Sequence, residues 1–315
     1  MRIGRLAHIT IGAGDGGDEL ARFYRVLVGV AEVATADGAT FLSGGKKPGY
    51  DVVIVPGAPG LHSFAFEVPG REDLTEATTR LERAGVPVAA LDPARDHGVA
   101  AGIDFVLPSG HAMQLVVLSE PALFRGTPRV EGRHFEGAGP VDLEHVSIDT
   151  DDVETLVAFL VGTLGFLNTE YSSPPGGPWF LAFLRTRELH HDLGVFRHVE
   201  WPGPGFNHVG FVVPSIVEIA RVADIASANG WKLQCSPGRH LAGDNIFIYL
   251  ADPSGNRVEV GTAMTKVEES APAVAWDSGS DSSWSNFDGW RTGIPPAART
   301  SGRCLDARRD TVRPR

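Results

Sequence analysis

Four times along the chain, a run of alternating apolar and polar residues leads into a stretch with helical spacing and returns as shorter strands. "LAHITIGA" (6–13) precedes the helical "DELARFYRVLVG", and "LHSFAFEV" (61–68) precedes "REDLTEATTRLERAG", which stops on Gly85. In the second half "LEHVSIDT" (143–150) predicts a strand followed by a helix from near Asp151 and Asp152. "FNHVGFVV" (206–213) repeats the arrangement. Its helix opens at Ser215 with Glu218 three residues on, a capping box, and stops at Gly230. The hairpins correspond as well, since "IDFVLPSGHAMQL" (103–115) aligns with "IYLADPSGNRVEV" (248–260) without a gap. The pattern predicts four strand-helix-strands units of about 50–65 residues, in two pairs.

Composition adds the boundaries. "SEPALFRGTPRVEGRHFEGAGP" (119–140) reads as a linker between a first domain, 1–118, and a second, 141–265. From about Ser270 the chain is rich in Ser, Asp and Gly without periodicity, and six arginines fall in its last seventeen residues. The segment 266–315 is therefore expected to be a disordered tail, with Trp276, Trp284 and Trp290 able to dock on the body or on a neighbouring subunit. Apolar residues make up 43% and charged residues 21% of the 315, the balance of a globular protein with ample core. A net charge of −11 argues against nucleic-acid binding. No apolar run reaches membrane-span length, and the N-terminus lacks a signal-peptide core, so a cytoplasmic location is expected. Two cysteines, Cys235 and Cys304, are too few for a disulfide framework.

The chemistry gathers in the second pair of units. His145, His208 and Glu259 follow one another at 63 and then 51 residues, each on a predicted strand that begins or ends a unit. Pairing between units brings all three to one concave face. Two imidazoles and one carboxylate form the facial set that holds Fe(II) or Mn(II) with open positions, and zinc also accepts such ligands. A carboxylate inside a strand is expensive to bury unless a charge compensates it, which a cation would do.

Residues 238–259, "GRHLAGDNIFIYLADPSGNRVE", resemble the signature of type I extradiol ring-cleavage dioxygenases of the vicinal oxygen chelate superfamily. Gly238, His240, Ile248-Tyr249, Asp252-Pro253, Gly255 and Glu259 fall at the permitted spacings. "EHVSI" and "NHVGF" match that family's metal-histidine strands, and "HHDLG" (190–194) matches its His-Asp stretch. The resemblance covers roughly residues 5–263. It implies an α+β fold of four βαβββ modules in two half-open barrels, with only the second barrel catalytic. It further implies His145, His208 and Glu259 as ligands of Fe(II) or Mn(II), and His191, His240 and Tyr249 as the catalytic side chains around them. His191 is favoured over adjacent His190 because it directly precedes Asp192. The implied activity is extradiol cleavage of a catechol by dioxygen, in aromatic degradation, by a homo-oligomer that engages neither nucleic acid nor membrane.

The first pair departs from this pattern. Its counterparts are His8, His62 and Gln114, at spacings of 54 and 52, with Asp104 in the place of Tyr249. Gln is a weak, neutral ligand, so this half reads as a duplicated scaffold without catalysis. Two other functions use the same fold: a glyoxalase-like isomerase or epimerase, which enlists a fourth protein ligand, and a metal-free small-molecule binder. Iron or manganese in the protein is expected to favour the dioxygenase. Trp179, Phe180 and Trp201 are the aromatics expected to border the substrate cavity.

Overall fold

The computed structural model describes residues 1–45, 49–92, 98–119, 137–138, 142–174, 176–198, 203–277 and 282–284. Four modules of the same plan follow one another. The first comprises β1 (Leu6–Gly12), α1 (Gly17–Phe23, running on as a π-helical turn through Val28), β2 (Ala31–Ala36), β3 (Ala39–Ser43) and β4 (Val52–Val55). The second comprises β5 (Gly60–Glu67), α2 (Arg71–Arg83), β6 (Val88–Ala90), β7 (Val99–Val106) and β8 (Ala112–Leu118). The third has β9 (Asp142–Thr150), α3 (Val153–Phe159), β10 (Leu167–Ser173), β11 (Leu181–Arg185) and β12 (Leu193–Arg197). The fourth has β13 (Gly205–Val212), α4 (Ile216–Asn229), β14 (Leu233–His240), β15 (Ile246–Ala251) and β16 (Arg257–Thr262). Two short strands follow, β17 (Val274–Asp277) and β18 (Ser282–Trp284).

Local chemistry explains the elements. Ser215 caps α4 by accepting from the Val217 amide, its hydroxyl donates to Glu218, and Gly230 ends the helix at a φ of 72°. Asp152 caps α3 through the Thr155 amide. α2 buries Leu74, Ala77 and Leu81, and α4 buries Ile219, Val222 and Ala226, each a stripe at helical spacing turned to the core.

The strands form an eight-stranded sheet, ordered β2-β3-β4-β1-β5-β8-β7-β6, and a ten-stranded sheet, ordered β17-β10-β11-β12-β9-β13-β16-β15-β14-β18. In each, two modules meet through their first strands, β1 against β5 and β9 against β13, both antiparallel. The last strand of every module returns parallel to its first. This order places β9, β13, β16 and β15 side by side at the centre of the second sheet. One hydrophobic core runs through both halves. Across their junction, buried Tyr24 donates to Asp252, His111 Nε2 donates to the Gly205 carbonyl, and Thr186 donates to the Gly4 carbonyl.

The start of the tail departs from the sequence expectation. β17 pairs with β10 at one rim of the second sheet, and β18 pairs with β14 at the other. Only five peptide links separate Asp277 from Ser282, which span at most about 18 Å. The sheet therefore curls until its two rims nearly meet. Arg185, fully buried, holds the junction by donating to the carbonyls of Glu268, Glu269 and Ala271. Trp276 packs on the cluster of Leu181, Phe183, Phe196 and Ala242. Composition had allowed Trp276 to dock but not the strand pairing, because these contacts use backbone hydrogen bonds and one indole rather than an apolar run. The rest of the tail, with Trp290 and Cys304, lies outside the described residues, as does the linker apart from Ser119, Gly137 and Ala138.

Candidate metal centre

His145 on β9, His208 on β13 and Glu259 on β16 converge in the curl of the second sheet, with donor atoms within 4.8 Å of one another. The His145 and His208 Nε2 atoms are 3.1 Å apart. Glu259 Oε2 lies 3.2 Å from His208 Nε2 and 3.7 Å from His145 Nε2. All three residues are buried.

Two bulges in the β9–β13 ladder make this convergence possible. Pairing jumps from Phe206–Ile148 to His208–Ser147, and again from Gly210–His145 to Phe211–Leu143. Asn207 and Glu144 are therefore the extra residues, and each immediately precedes a histidine. Instead of pointing away, they turn toward the neighbouring ring: Asn207 Oδ1 lies 2.8 Å from His208 Nδ1, and Glu144 Oε2 lies 3.4 Å from His145 Nδ1. At His208 the hydrogen bond to Nδ1 leaves Nε2 with its lone pair aimed at the convergence. Gly210 faces His145 across the ladder, where a Cβ would fall 2.1 Å from the imidazole Cε1, so only glycine leaves room for the ring. Asn245 donates to the other Glu259 oxygen at 2.9 Å.

The electrostatics describe a site short of one cation. Burial would raise the Glu259 pKa, yet hydrogen bonds from His145 and His208 hold it well below the ordinary carboxylate range. Burial pulls His145 down, but Glu144 and Glu259 outweigh it and raise its pKa to about 9. Burial dominates at His208 and lowers it to about 4. His145 thus holds one proton more than a neutral imidazole, which balances the buried carboxylate. A divalent cation fits the same place with two imidazole lone pairs and an anion as ligands, displacing that proton.

His240, Tyr249 and His191 stand around this centre. His240 stacks on Phe247, with centroids 3.8 Å apart, and its Nε2 lies 4.0 Å from Glu259 Oε2. Tyr249 stands directly across the ladder from Glu259, and its hydroxyl is 3.3 Å from His240 Nε2. His191 packs edge-on against His145, with centroids 4.6 Å apart. Burial first, then the nearby His145 and His190, hold the His191 pKa well below its usual value. Asp192 anchors the loop that carries it, accepting from the Thr186 amide and from Arg187. His191, His208, His240, Tyr249 and Glu259 line a small cavity, whose apolar walls are Phe183, Phe196 and Ala242.

Those walls correct one expectation. Trp179 stacks on Tyr171 and Phe180 is 49% exposed; neither lines the cavity, and Trp201 lies outside the described residues. Sequence reasoning also missed Asn245, Glu144 and Asn207. For the last two the signal was present, a polar residue just before each strand histidine, but strict alternation assigned them to the opposite face.

The first half is corrected by register. Gly210 pairs with His145 and Ala65 with His8, so the position matching His208 is Ser63, and His62 matches Asn207. His62 Nε2 contacts the Ala58 carbonyl instead. Gln114 bridges His8 and Asp104, with 3.3 Å contacts to each. Two of the three ligand positions thus hold Ser and Gln.

A family model described as the Glyoxalase/Bleomycin resistance protein/Dioxygenase superfamily matches residues 142–260. Residues 142–260 form a domain of that superfamily. The match ends one residue past Glu259 and takes in every residue of the centre. Among curated relatives, a manganese-dependent 2,3-dihydroxybiphenyl 1,2-dioxygenase from Geobacillus genomosp. 3 is 25% identical over 247 residues, 76% of this chain and 78% of its own. A metapyrocatechase from Pseudomonas sp. (strain CF600) is 27% identical over 244 residues, 75% of this chain and 79% of its own. Solved structures extend the fold of the superfamily domain to nearly the whole chain. A 2,3-dioxygenase from Pseudomonas sp. KL28 gives a TM-score of 0.77 at 22% identity, covering 88% of this chain and 96% of its own. A Mn(II)-bound glyoxalase from Novosphingobium aromaticivorans gives 0.73 at 20% identity, covering 94% of each.

Proposed function

We propose that the chain is an extradiol dioxygenase that cleaves a catechol with O₂, using Fe(II) or Mn(II) held by His145, His208 and Glu259. The observation that carries this reading is the buried His-His-Glu centre walled by His191, His240 and Tyr249. Bound there, the cation supplies a template for both catechol oxygens and an electron path between ring and dioxygen. Phe183, Phe196 and Ala242 hold the aromatic ring and exclude water. His240 and the Tyr249 hydroxyl donate hydrogen bonds to the catechol oxygens and fix the ring's orientation. His191 accepts and returns a proton at the ring nitrogen that faces the cavity.

An isomerase on this fold is disfavoured because the convergent group among the described residues has three protein ligands and no fourth. A metal-free binder has no use for a buried carboxylate between two imidazoles. Manganese alone does not separate these readings, since a Mn(II)-bound glyoxalase shares the fold. Oxygen consumption does. Protein reconstituted anaerobically with Fe(II) or Mn(II) is expected to convert a panel of catechols to yellow ring-fission products, with both atoms of ¹⁸O₂ retained. Glu259→Ala is expected to lose bound metal and turnover while keeping its fold. Full metal occupancy in that variant, or product without oxygen uptake, sinks the assignment. A cytoplasmic location and a homo-oligomeric state belong to the same proposal; light scattering on the purified chain tests the second.

A further inference from the structure

The cavity beside the centre has a second layer behind its apolar wall. Phe183, Phe196 and Ala242, which line it, form one cluster with Leu181, and the indole of Trp276 packs on that cluster. Trp276 belongs to β17, beyond the fourth module. Register shows which way it points. Trp276 pairs with Ser172, Ser172 with Leu181, and Leu181 with Phe196, so the four stand level across β17, β10, β11 and β12. Level residues of neighbouring strands share a face of the sheet. Phe196 in turn pairs with Asp149, which alternation places on the same face of β9 as His145. The indole therefore stands on the face that carries the metal centre. Its Nε1 is buried without a hydrogen-bond partner among the described residues, so packing alone seats the ring. The chain leading to it is fixed, since Arg185 holds the carbonyls of Glu268, Glu269 and Ala271, and the Thr265 carbonyl accepts from the His190 amide.

We infer that Trp276 is a specificity-determining residue, which backs the apolar wall of the cavity and restricts the site to catechols without a bulky ring substituent. This deepens the proposed function and rests on it for the identity of the ligand. With its two oxygens at the centre, a catechol presents its far edge, and any group on it, to Phe183, Phe196 and Ala242. A close-packed interior gives such a wall no void to retreat into. Phe183 is held on one side by His190 and His191 and on another by Phe196, and the indole covers the cluster from outside. An apolar pocket discriminates a single methylene by about 10- to 200-fold, and a phenyl substituent asks for far more room. Truncating the indole leaves a void behind the wall, into which the two phenylalanine rings can turn.

The test compares catechol with its 3-phenyl derivative on the full chain. Calorimetry with Zn(II) in the centre reads binding without turnover, and initial rates of the Fe(II)-loaded protein read kcat/KM. The parent is expected to favour catechol by at least about 10-fold in both. Trp276→Ala is expected to shift the ratio toward the derivative by about 10- to 100-fold. Trp276→Phe keeps a ring and removes the unpartnered N–H. It should shift the ratio part of the way with the melting temperature unchanged, and it decides the matter where the alanine variant does not fold. Val274→Ala alters an exposed position on the same strand and should leave the ratio at the parent value. An equal shift in that variant would assign the effect to any loosening of β17 and overturn the role of the indole. A parent that takes both ligands alike, or a ratio unmoved by the Trp276 variants, also overturns it. If the ligands bind in the expected order and neither is cleaved, the proposed function fails while the binding series still reads the wall.

Discussion

The phenol of Tyr249 is buried among His208, Phe247 and His240, with the Arg257 guanidinium over its ring at 5.4 Å. Its hydroxyl is 3.3 Å from His240 Nε2, and that contact sits at the cavity wall. A charge-assisted hydrogen bond from such a phenol to a catecholate oxygen contributes about 1.5–3 kcal/mol. Tyr249→Phe is expected to keep the metal and the fold but lose roughly 10- to 150-fold in kcat/KM on catechols if that bond acts fully in the transition state. Steady-state kinetics at saturating oxygen measure it. A silent substitution would make Tyr249 a packing aromatic only. Its place beside Glu259 was legible because the two flank one hairpin, and their direct pairing puts them on one face. Asn245 was not legible: it follows a turn whose backbone, with Asp244 at a φ of 55°, aims the amide back at Glu259.

Strands β9 and β13 were read correctly as strands, and their histidines correctly as inward. What the period of two could not show was the pair of bulges that turns Glu144 and Asn207 to the same side. The same blindness produced the misplaced His62, one residue out of register with His208. Helix α4, by contrast, was legible to its ends because Ser215, Glu218 and Gly230 act within four residues of their partners. Local chemistry reads directly from the chain, and irregular pairing does not. The bulges carry a consequence for the metal. Asn207 Oδ1 fixes the His208 ring so that Nε2 points inward. Asn207→Ala is expected to weaken metal affinity by roughly 10- to 100-fold without unfolding the protein. Competition against a chelating dye reports it, and an unchanged affinity would show that packing alone orients His208.

The whole second half is held by a segment whose sequence suggested a loose end. Arg185 is fully buried; its hydrogen-bond partners include Thr169, the Asn168 carbonyl and three carbonyls at 268, 269 and 271. Cutting the chain after Lys266 removes those three acceptors. Leaving the guanidinium with only Thr169 and the Asn168 carbonyl costs about 1–3 kcal/mol, which for a protein of this size lowers the melting temperature by roughly 2–12 °C. Differential scanning calorimetry of the truncated chain checks it; a melting point within a degree of the parent would return the segment to the status of an ornament. The same cut has an outcome of another kind. In the full chain the outermost strands are β17 with four residues and β18 with three, too short to template anything. Remove them, and β10 and β14, with seven and eight residues, stand with open rows of amides and carbonyls on both rims. Each rim then offers another copy of the chain a place to add a strand, and the truncated protein is expected to form concentration-dependent aggregates that sedimentation detects well below its melting point.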